Sequence, residues 1–552
     1  MRSNTITSYA IAGAQLVSAG WVWPSKYDYV EDLYSLQAGF IRHGFIDIAH
    51  ANSRHLNVSP CSFNGRQPGE QDAAAWVRTA YHDAATHDKE AGTGGLDASI
   101  LYETDRAENP GDAFNVTFGF FSAHYNGDIS VSDLIALGLV TATASCGGPK
   151  VPLRVGRIDA TEAGQPGVPE PQQDLDTHKA IFAKAGFGTE DMIAMVACGH
   201  TLGGVHHEDF PDMNENGNKG ETSRFEGNDN DHAYMFDNAV ATQYLDGSSE
   251  NPLVAGHNDT TNSDKRIFGA DGNKTMKALS DPEKFKTMCA DIFARMIDSV
   301  PAGVELTEPI ESADIKPYIT TLALNSNGTL DFTGRVRVRV TEGTDRDPED
   351  LAVRLAYTSR DGAQNGTIEA KAETLRGGRS SGLFNESFKW FTFETQLDAS
   401  TGIRGFTIEL TKPSTGAATV FDNEGTGLYP VQDAILYQQK QSCMDTNGDP
   451  FPFTVAAAVH KDQTEAAAAM ELAFKSPRPG TPMPKLEKKT FALERTDKKS
   501  PSDEYVLYEL QMPLATSSWS TTMDLVLGEG EGEKRVKHLS TNELAGVSCQ
   551  AL

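Results

Sequence analysis

The sequence predicts a multidomain protein, with an all-α domain first and β-sandwich-like modules after it. The chain has 552 residues, which exceeds one ordinary domain. Apolar residues recur at helical spacing before about residue 305. Beyond it, short alternating runs are separated by Gly, Asn and Asp, a pattern typical of β-sandwiches. The predicted boundaries are 1–19 for a signal peptide, 25–302 for the helical domain, and 310–440 and 441–552 for two β-rich modules.

Individual elements follow from the same periodicities. Amphipathic segments predict helices at 33–49, 131–144 and 285–300, and Ser130 and Ser132 are candidate caps of the second. Alternating runs predict strands at 336–340, 405–410, 453–459, 504–512 and 521–527. A weak break at 442–452 divides the β region. The basic run at 485–499 is interpreted as a solvated face.

Charge excludes several classes of partner. The formal net charge is −29, whereas a nucleic-acid-binding protein needs a basic patch for the phosphate backbone. The same charge disfavours anionic membranes, and no apolar run is long enough to span a bilayer. The composition fits an acidic extracellular protein that meets neutral or cationic small molecules.

Features near the N-terminus and along the chain predict secretion. Arg2, a modestly apolar stretch at 9–17 and the small residues at 17–19 form a weak signal-peptide pattern. Seven glycosylation sequons follow, at Asn57, Asn115, Asn258, Asn273, Asn327, Asn365 and Asn385. Six cysteines without metal-ligand spacing allow up to three disulfides, and the sequence leaves their pairing open.

Residues 76–99 carry the first chemical signal. Arg78 and His82 are four apart on a predicted helix and therefore share a face. The imidazole can take up and return a proton, while the guanidinium can hold a developing anion. The residues after His82 form an oxygen-only set of the kind Ca²⁺ prefers: Asp83, Gly95, Asp97 and Ser99. An isolated Arg-x-x-x-His would be an ordinary surface pair, so a second site is needed.

That second site is the segment 189–207. Thr189 and the acidic residues after it suit a helix start, and glycines at 203 and 204 stop the helix. His200 therefore lies near a helix end on an apolar, glycine-lined wall. A neutral imidazole there can be an axial ligand of a haem iron. Taken alone, the segment is better explained by an ordinary core histidine.

Together the motifs resemble the plant-type haem peroxidase superfamily, and its secreted fungal branch in particular. The resemblance covers roughly residues 25–302. It rests on five separated motifs: Arg-Thr-Ala-Tyr-His-Asp at 78–83, Gly-Leu-Asp-Ala-Ser at 95–99, Glu-Asn-Pro at 108–110, His-Thr-Leu-Gly at 200–203 and Ser-Asp at 263–264. The β region lies outside it.

The resemblance implies a role for each matching residue. His82 would move the peroxide proton, Arg78 would stabilise the charge of the breaking O–O bond, and Asn109 would orient His82. His200 would ligate the iron of one haem b per chain, with Asp264 behind it, and His206 would contact a propionate. One or two Ca²⁺ are implied, one at Asp83, Gly95, Asp97 and Ser99. The second, proximal cation would be held by Thr201, Asp237 and, with poorer spacing, Asp229.

Departures from the family narrow the donor. Gln71, Ala75 and His206 stand where manganese-oxidising members carry carboxylates, so a manganese site is not expected. No Trp lies between residues 76 and 390, which removes the tryptophan used by lignin-oxidising members. Tyr81 replaces the usual Phe or Trp and adds a hydroxyl to the pocket.

The predicted function is therefore peroxide-dependent oxidation of small, possibly phenolic donors in one-electron steps through a ferryl intermediate. A catalase-like or dye-oxidising activity is the alternative within enzymes. An alternative of another class is an extracellular protein that binds cell wall or polysaccharide through its β modules and uses the peroxidase fold as a scaffold. Haem absorption and turnover with a phenol distinguish these readings.

Overall fold

The computed structural model describes residues 21–43, 45–46, 61, 70–213, 222–226 and 234–552. The predicted signal peptide, Asn57 and Asp229 lie outside these ranges. The helices of the described residues all precede residue 300: α1 (Asp28–Ser35), α2 (Asp72–Ala84), α3 (Ala113–Phe121), α4 (Val131–Ser145), α5 (Leu175–Lys184), α6 (Thr189–Gly199), α7 (Ala239–Asp246), α8 (Pro252–Ala255), α9 (Ser263–Phe268), α10 (Lys274–Leu279) and α11 (Pro282–Ile297).

The strands lie mostly after residue 310. They are β1 (Ala38–Gly39), β2 (Gly204–His206), β3 (Thr222–Arg224), β4 (Ile315–Leu324), β5 (Thr329–Arg339), β6 (Ala352–Thr358), β7 (Asn365–Ala372), β8 (Arg379–Ser381), β9 (Ser387–Asp398), β10 (Gly405–Lys412), β11 (Ala417–Phe421), β12 (Tyr429–Pro430), β13 (Ile435–Tyr437), β14 (Cys443–Met444), β15 (Phe451–His460), β16 (Ala468–Ser476), β17 (Lys485–Ala492), β18 (Glu494–Arg495), β19 (Tyr505–Leu514), β20 (Thr522–Leu527) and β21 (Lys534–Ser540). A helical part followed by a β-rich part confirms the coarse prediction.

The β-rich part contains three sheets in the described residues. The first, of ten strands, runs β1-β8-β9-β7-β6-β10-β11, with β5 on β9, β4 on β5 and β12 on β10. The second runs β13-β15-β19-β18, with β14 on β15, and the third runs β17-β16-β20-β21. Neighbouring strands in these sheets are antiparallel, as in β15 with β19, where Val455 faces Leu510. In the β-rich part, the strands up to β12 belong to the first sheet, and those from β13 onward belong to the second and third. Sandwich packing and a boundary at 440/441 remain predictions.

Periodicity located most elements, and one failure is informative. The helices predicted at 131–144 and 285–300 are α4 and α11, and the Ser130 hydroxyl caps α4 by accepting from the Asp133 N–H (3.0 Å). The predicted helix at 33–49 is wrong at residues 36–43, 45 and 46, and its remaining residues lie outside the described ranges. There the Gln37 amide donates to the Leu33 carbonyl and ends α1, and Gly39, with φ of +108°, enters a strand paired with β8.

The helical core lies between α2, α3, α4, α6 and α11, and two disulfides tie it together: Cys61–Cys146 and Cys198–Cys289. The third, Cys443–Cys549, lies inside the β-rich part, so none of the three joins the two parts. None of the described helices combines the length and hydropathy needed to cross a bilayer. Charges of the basic run are paired, as in Lys488–Glu471 and Lys498–Glu509, which fits a solvated face.

The two parts share a buried ion cluster. Glu31 and Asp32 of α1 face Lys316 of β4 and Arg337 of β5, and all four side chains are at least nine-tenths buried. Lys316 Nζ lies 2.8 Å from Glu31 and 2.9 Å from Asp32. Removing one partner from such a cluster leaves an uncompensated buried charge, which typically costs about 3–5 kcal/mol. These ion pairs therefore stabilise the contact between the helical part and the first sheet.

Candidate active site

Helix α2 places Arg78 and His82 on one buried face, one turn apart. Its Ala-rich sequence favours the helix, and Trp76, Val77 and Ala80 anchor it in the core. Arg78 Nε lies 3.4 Å from His82 Nε2, and Arg78 Nη2 donates to the Pro110 carbonyl (2.8 Å). Phe114 packs on both side chains, with its ring centre 4.9 Å from the guanidinium carbon. The predicted pair is thus brought together and held rigid.

Hydrogen bonds fix the tautomer of His82. Asn109 Nδ2 donates to the Glu103 carbonyl (3.0 Å), so Asn109 Oδ1 faces His82 Nδ1 at 2.6 Å and accepts its proton. Nε2 is then the unprotonated nitrogen, beside Arg78. Burial, followed by the nearby Arg78 charge, lowers the pKa of His82 to about 3. The imidazole is therefore neutral at physiological pH, as a proton acceptor must be.

The second predicted histidine, His200, follows the last residue of α6. Its Nδ1 donates to Asp264 Oδ2 of α9 (2.8 Å), and its ring stacks on Phe225 with centroids 4.3 Å apart. Nε2 of His200 makes no hydrogen bond within the described ranges. Asn251, at the start of α8, also donates to Asp264 Oδ2 (2.8 Å). The ring is oriented through one nitrogen, which leaves the other for a metal.

Both histidines line a cavity of about 700 Å³, within the range of ligand sites. Its walls carry small residues where a flat ring would approach closely, including Ala74, Gly199 and Gly203. Tyr81 lines it as well and stacks on Phe182. The cavity size, the free Nε2 of His200 and the proton acceptor that shares the cavity with it fit a haem.

Acidic side chains outnumber basic ones in the described lining of this cavity, and one of them, Glu108, is paired with Arg106. Arg78 is its one Lys or Arg among the described lining residues, and seven carboxylates also line it: Glu70, Glu108, Asp112, Glu170, Glu208, Asp209 and Asp264. Burial lowers the pKa of the Arg78 guanidinium, and the nearby Asp209 charge partly offsets this effect. His206 lines the same cavity and bonds Thr222 through Nδ1 (3.2 Å), where burial lowers its pKa. Gln71 and Ala75, which lack carboxylates, are also part of the lining.

The predicted distal calcium residues surround one loop. Asp83 accepts the N–H groups of Ala98 (2.8 Å) and Ile100 (3.0 Å), and Asp97 accepts that of Ser99 (3.1 Å). The Gly95 carbonyl accepts from the Asp97 N–H. The Ser99 hydroxyl is buried beside the carboxylates of Asp97 and Glu103. Burial and the Asp97 charge raise the pKa of Asp83. A cation would offset both effects, so the donor chemistry fits Ca²⁺.

The predicted proximal cation residues meet at a glutamate that the sequence reasoning missed. The Thr201 hydroxyl lies 2.7 Å from both Glu226 Oε1 and the Asp237 carbonyl. Glu226 Oε2 is buried without a partner. Burial and the Asp237 charge raise the pKa of Glu226 to about 9. In the described ranges, no group of three or more His, Cys, Asp or Glu is arranged to hold a metal.

Phe225, Asn251 and Glu226 were all missed because each reaches the site from a distant segment. An Asn before Pro252 does signal a helix cap, and Asn251 Oδ1 indeed accepts the Leu253 N–H (2.8 Å). Nothing in the sequence indicates its second bond, to Asp264.

Comparisons with known proteins agree with this geometry. The sequence model of the family described as Peroxidase matches residues 64–280. The chain is 38% identical over 422 residues to a WSC domain-containing protein of Arthroderma benhamiae, covering 75% of this chain and 55% of that protein. It is 30% identical over 215 residues to the peroxisomal L-ascorbate peroxidase 5 of Arabidopsis thaliana, covering 39% of this chain and 66% of the relative. A putative heme-binding peroxidase of Aspergillus fumigatus is 32% identical over 151 residues, covering 26% of this chain and 47% of the relative. The chain thus spans little more than half of the first relative and just under two thirds of the second.

Proposed function

Since residues 64–280 form a peroxidase-family domain of the plant, fungal and bacterial type, we propose that this protein is a hydrogen-peroxide-dependent haem peroxidase. It would oxidise small donors, phenols among them, one electron at a time. One observation carries the proposal. A neutral His82, whose unprotonated Nε2 faces Arg78 Nε, shares a cavity with His200, whose Nδ1 is bonded to Asp264 and whose Nε2 makes no hydrogen bond in the described residues.

The residues present would hold one haem b per chain. His200 would ligate its iron through Nε2, and His206, which lines the cavity, would contact a propionate. When bound, the haem supplies iron that takes oxidising equivalents from peroxide and passes them on singly. Asp264 accepts the Nδ1 proton of His200, which makes the imidazole a stronger electron donor.

His82 and Arg78 have separate roles in the proposed reaction with peroxide. His82 Nε2 takes a proton from one peroxide oxygen and delivers it to the other, which leaves as water. Asn109 holds the Nδ1 proton and keeps Nε2 as the acceptor. The Arg78 guanidinium stabilises the negative charge that develops as the O–O bond breaks. It can do so because it cannot deprotonate at working pH.

The charge of the cavity bears on the donor. A lining rich in carboxylates favours neutral or cationic donors over anionic ones. A phenol is neutral below its pKa of about 10. This charge distribution supports the phenolic reading of the donor.

We further propose that Ca²⁺ binds at Asp83, Gly95, Asp97 and Ser99, where it would fix the loop that follows α2. A second cation would bind at Thr201, Asp237 and Glu226. Asp229, the other sequence candidate, lies outside the described residues. Two observations support these sites: Glu226 Oε2 is buried with no hydrogen-bond partner among the described residues, and the pKa values of Asp83 and Glu226 are raised.

Secretion and glycosylation belong to the proposal as well. Three disulfides fit an oxidising compartment. Of the seven sequon asparagines, the six in described residues are all at least partly exposed. The match to the WSC domain-containing protein extends beyond the peroxidase domain, since it covers 422 residues. It leaves open a contact of the β-rich region with cell wall or polysaccharide, which co-sedimentation with insoluble glucan and chitin would test.

Replacing His82 tests the mechanism. His82→Ala should keep its haem yet react with peroxide about 10³–10⁴-fold more slowly, because one residue serves both proton transfers. Arg78→Ala should lose roughly 10²–10³-fold. Tyr81→Phe is the control, since it keeps the ring on Phe182 and removes only the hydroxyl. Stopped-flow mixing with peroxide, then separately with guaiacol, divides the two steps. A His82→Ala protein that reacts with peroxide at the wild-type rate would refute the mechanism.

A further inference from the structure

The loop between β16 and β17, residues 477–484, reaches from the third sheet into the helical part. Met483 is fully buried within the helical core. Arg478 lies over the ring of Tyr102, with its guanidinium carbon 5.2 Å from the ring centre. The Thr104 hydroxyl donates to the Gly480 carbonyl (3.3 Å). The loop therefore holds the two residues on either side of Glu103.

The same sheet makes a second, separate contact with the helical part. His538 Nδ1 of β21 lies 2.8 Å from Asp128 Oδ2. Lys488 of β17 passes close to Gly127, the residue before that aspartate. Two independent contacts indicate that the sheet is docked as a unit, and they allow the effect of the loop to be separated from docking as such.

Glu103 links the loop to the distal histidine. Its side chain is completely buried, and Oε1 accepts the Gly164 N–H (2.7 Å). Its carbonyl accepts both the Arg106 N–H and Asn109 Nδ2, each at 3.0 Å. Asn109 in turn bonds His82 Nδ1 at 2.6 Å. Two hydrogen bonds therefore separate His82 from the main chain that the loop holds between Tyr102 and Thr104.

We propose that the 477–484 loop is a positioning element for His82, acting through Glu103 and Asn109. The proposal rests on the peroxidase function for its consequence, but not for its geometry. Released from the loop, the turn at 102–109 would let Asn109 drift, and His82 would lose the bond that fixes its Nδ1 proton. The C-terminal region would then be part of the acid–base machinery rather than a separate binding module.

The test uses the full chain with Thr104→Val and Arg478→Ala combined, which removes both polar contacts and leaves Met483 in place. His538→Ala is the matched control, because it breaks the contact of the same sheet at Asp128. In cofactor-free protein labelled with ¹⁵N-histidine, exchange of the His82 Nδ1 proton with solvent should speed up roughly 2- to 30-fold in the double variant and stay at the wild-type rate in the control. In haem-loaded protein the reaction with peroxide should slow by a similar factor, while oxidation of guaiacol should not.

A cycle with Asn109→Ala distinguishes this route from general loosening. If the loop acts through Asn109, releasing it in the Asn109→Ala background should change the peroxide rate no further. If the combined variant folds poorly, Arg478→Lys is used in place of Arg478→Ala. The lysine keeps a cation over Tyr102 and should restore most of the rate of the reaction with peroxide. Unchanged exchange in the double variant would overturn the proposal, as would an equal loss in both backgrounds. Because the exchange measurement needs no haem, a protein that showed the exchange effect but bound no haem would contradict the proposed function alone.

Discussion

Glu226→Gln should remove a pH-dependent loss of stability. Glu226 is almost fully buried, and Thr201 and the Val240 N–H donate to its Oε1. Its other oxygen has no partner, and Asp237 lies nearby. Without a cation, the carboxyl therefore stays protonated in the folded protein well above its ordinary pKa. A glutamine keeps the shape and the acceptor oxygen and has no charge to bury.

The sign and size follow from the two pKa values. Folding raises the pKa of Glu226 from 4.5 to about 9, so between these values the folded state holds a proton that the unfolded state has released. Stability then falls as pH rises, by about 1.4 kcal/mol per pH unit. Between pH 5 and pH 8 the wild-type protein should lose up to about 4 kcal/mol relative to Glu226→Gln.

Urea unfolding at pH 5 and pH 8, in chelator and in millimolar Ca²⁺, measures this difference. In chelator, the curves of wild type and Glu226→Gln should diverge with pH. Added Ca²⁺ should stabilise the wild type at pH 8 by more than the variant, because the variant keeps only the distal site at Asp83. Glu190→Gln, at a largely exposed carboxylate on α6, is the control and should follow the wild type. Parallel pH dependence of wild type and Glu226→Gln in chelator would refute the reasoning.

Three further predictions concern other parts of the molecule. Asn251→Ser keeps a helix-cap acceptor but removes the amide donor to Asp264. The equilibrium between ferric and ferrous haem should therefore shift roughly 10-fold towards the ferric form, which spectroelectrochemistry measures as a lower midpoint potential. An unchanged midpoint potential would contradict the role of Asn251. Chelation should lower the melting temperature and slow the peroxide reaction by loosening the Asp83 loop, and indifference to chelator would exclude the distal cation. A chain ending at Ala302 loses the cations facing Glu31 and the Met483 anchor, so it should aggregate; a soluble, haem-binding fragment would show that the parts are independent.

Local sequence patterns were enough to predict much of the fold and the pairing of Arg78 with His82. Arg78 and His82 needed only a helix to meet, and capping serines and alternating runs located α4 and five strands. The prediction at 33–49 failed because amphipathic spacing cannot show that Gln37 ends the helix and that Gly39 pairs with a strand more than 300 residues away.

The rest of the site depends on tertiary contacts that no local pattern encodes. Asn251 and Phe225 approach His200 from separate loops, and Glu226 meets Thr201 across 25 residues of chain. The contacts between the β-rich part and the helical part could not be predicted from the sequence either. A buried Lys316 or Met483 is unremarkable in sequence, and only the fold shows that each faces the helical part.

The central claim is that His200 holds a haem on which peroxide acts under the control of His82. The most direct test is the absorption spectrum of the full-length protein, supplied with haem, before and after one equivalent of hydrogen peroxide. We predict a Soret band at one haem per chain, a shift of that band within the mixing time, and its return on adding a phenol, with His200→Ala losing most of the haem. A wild-type protein that takes up no haem, or a His200→Ala variant with the same Soret band and the same response to peroxide, would contradict the account.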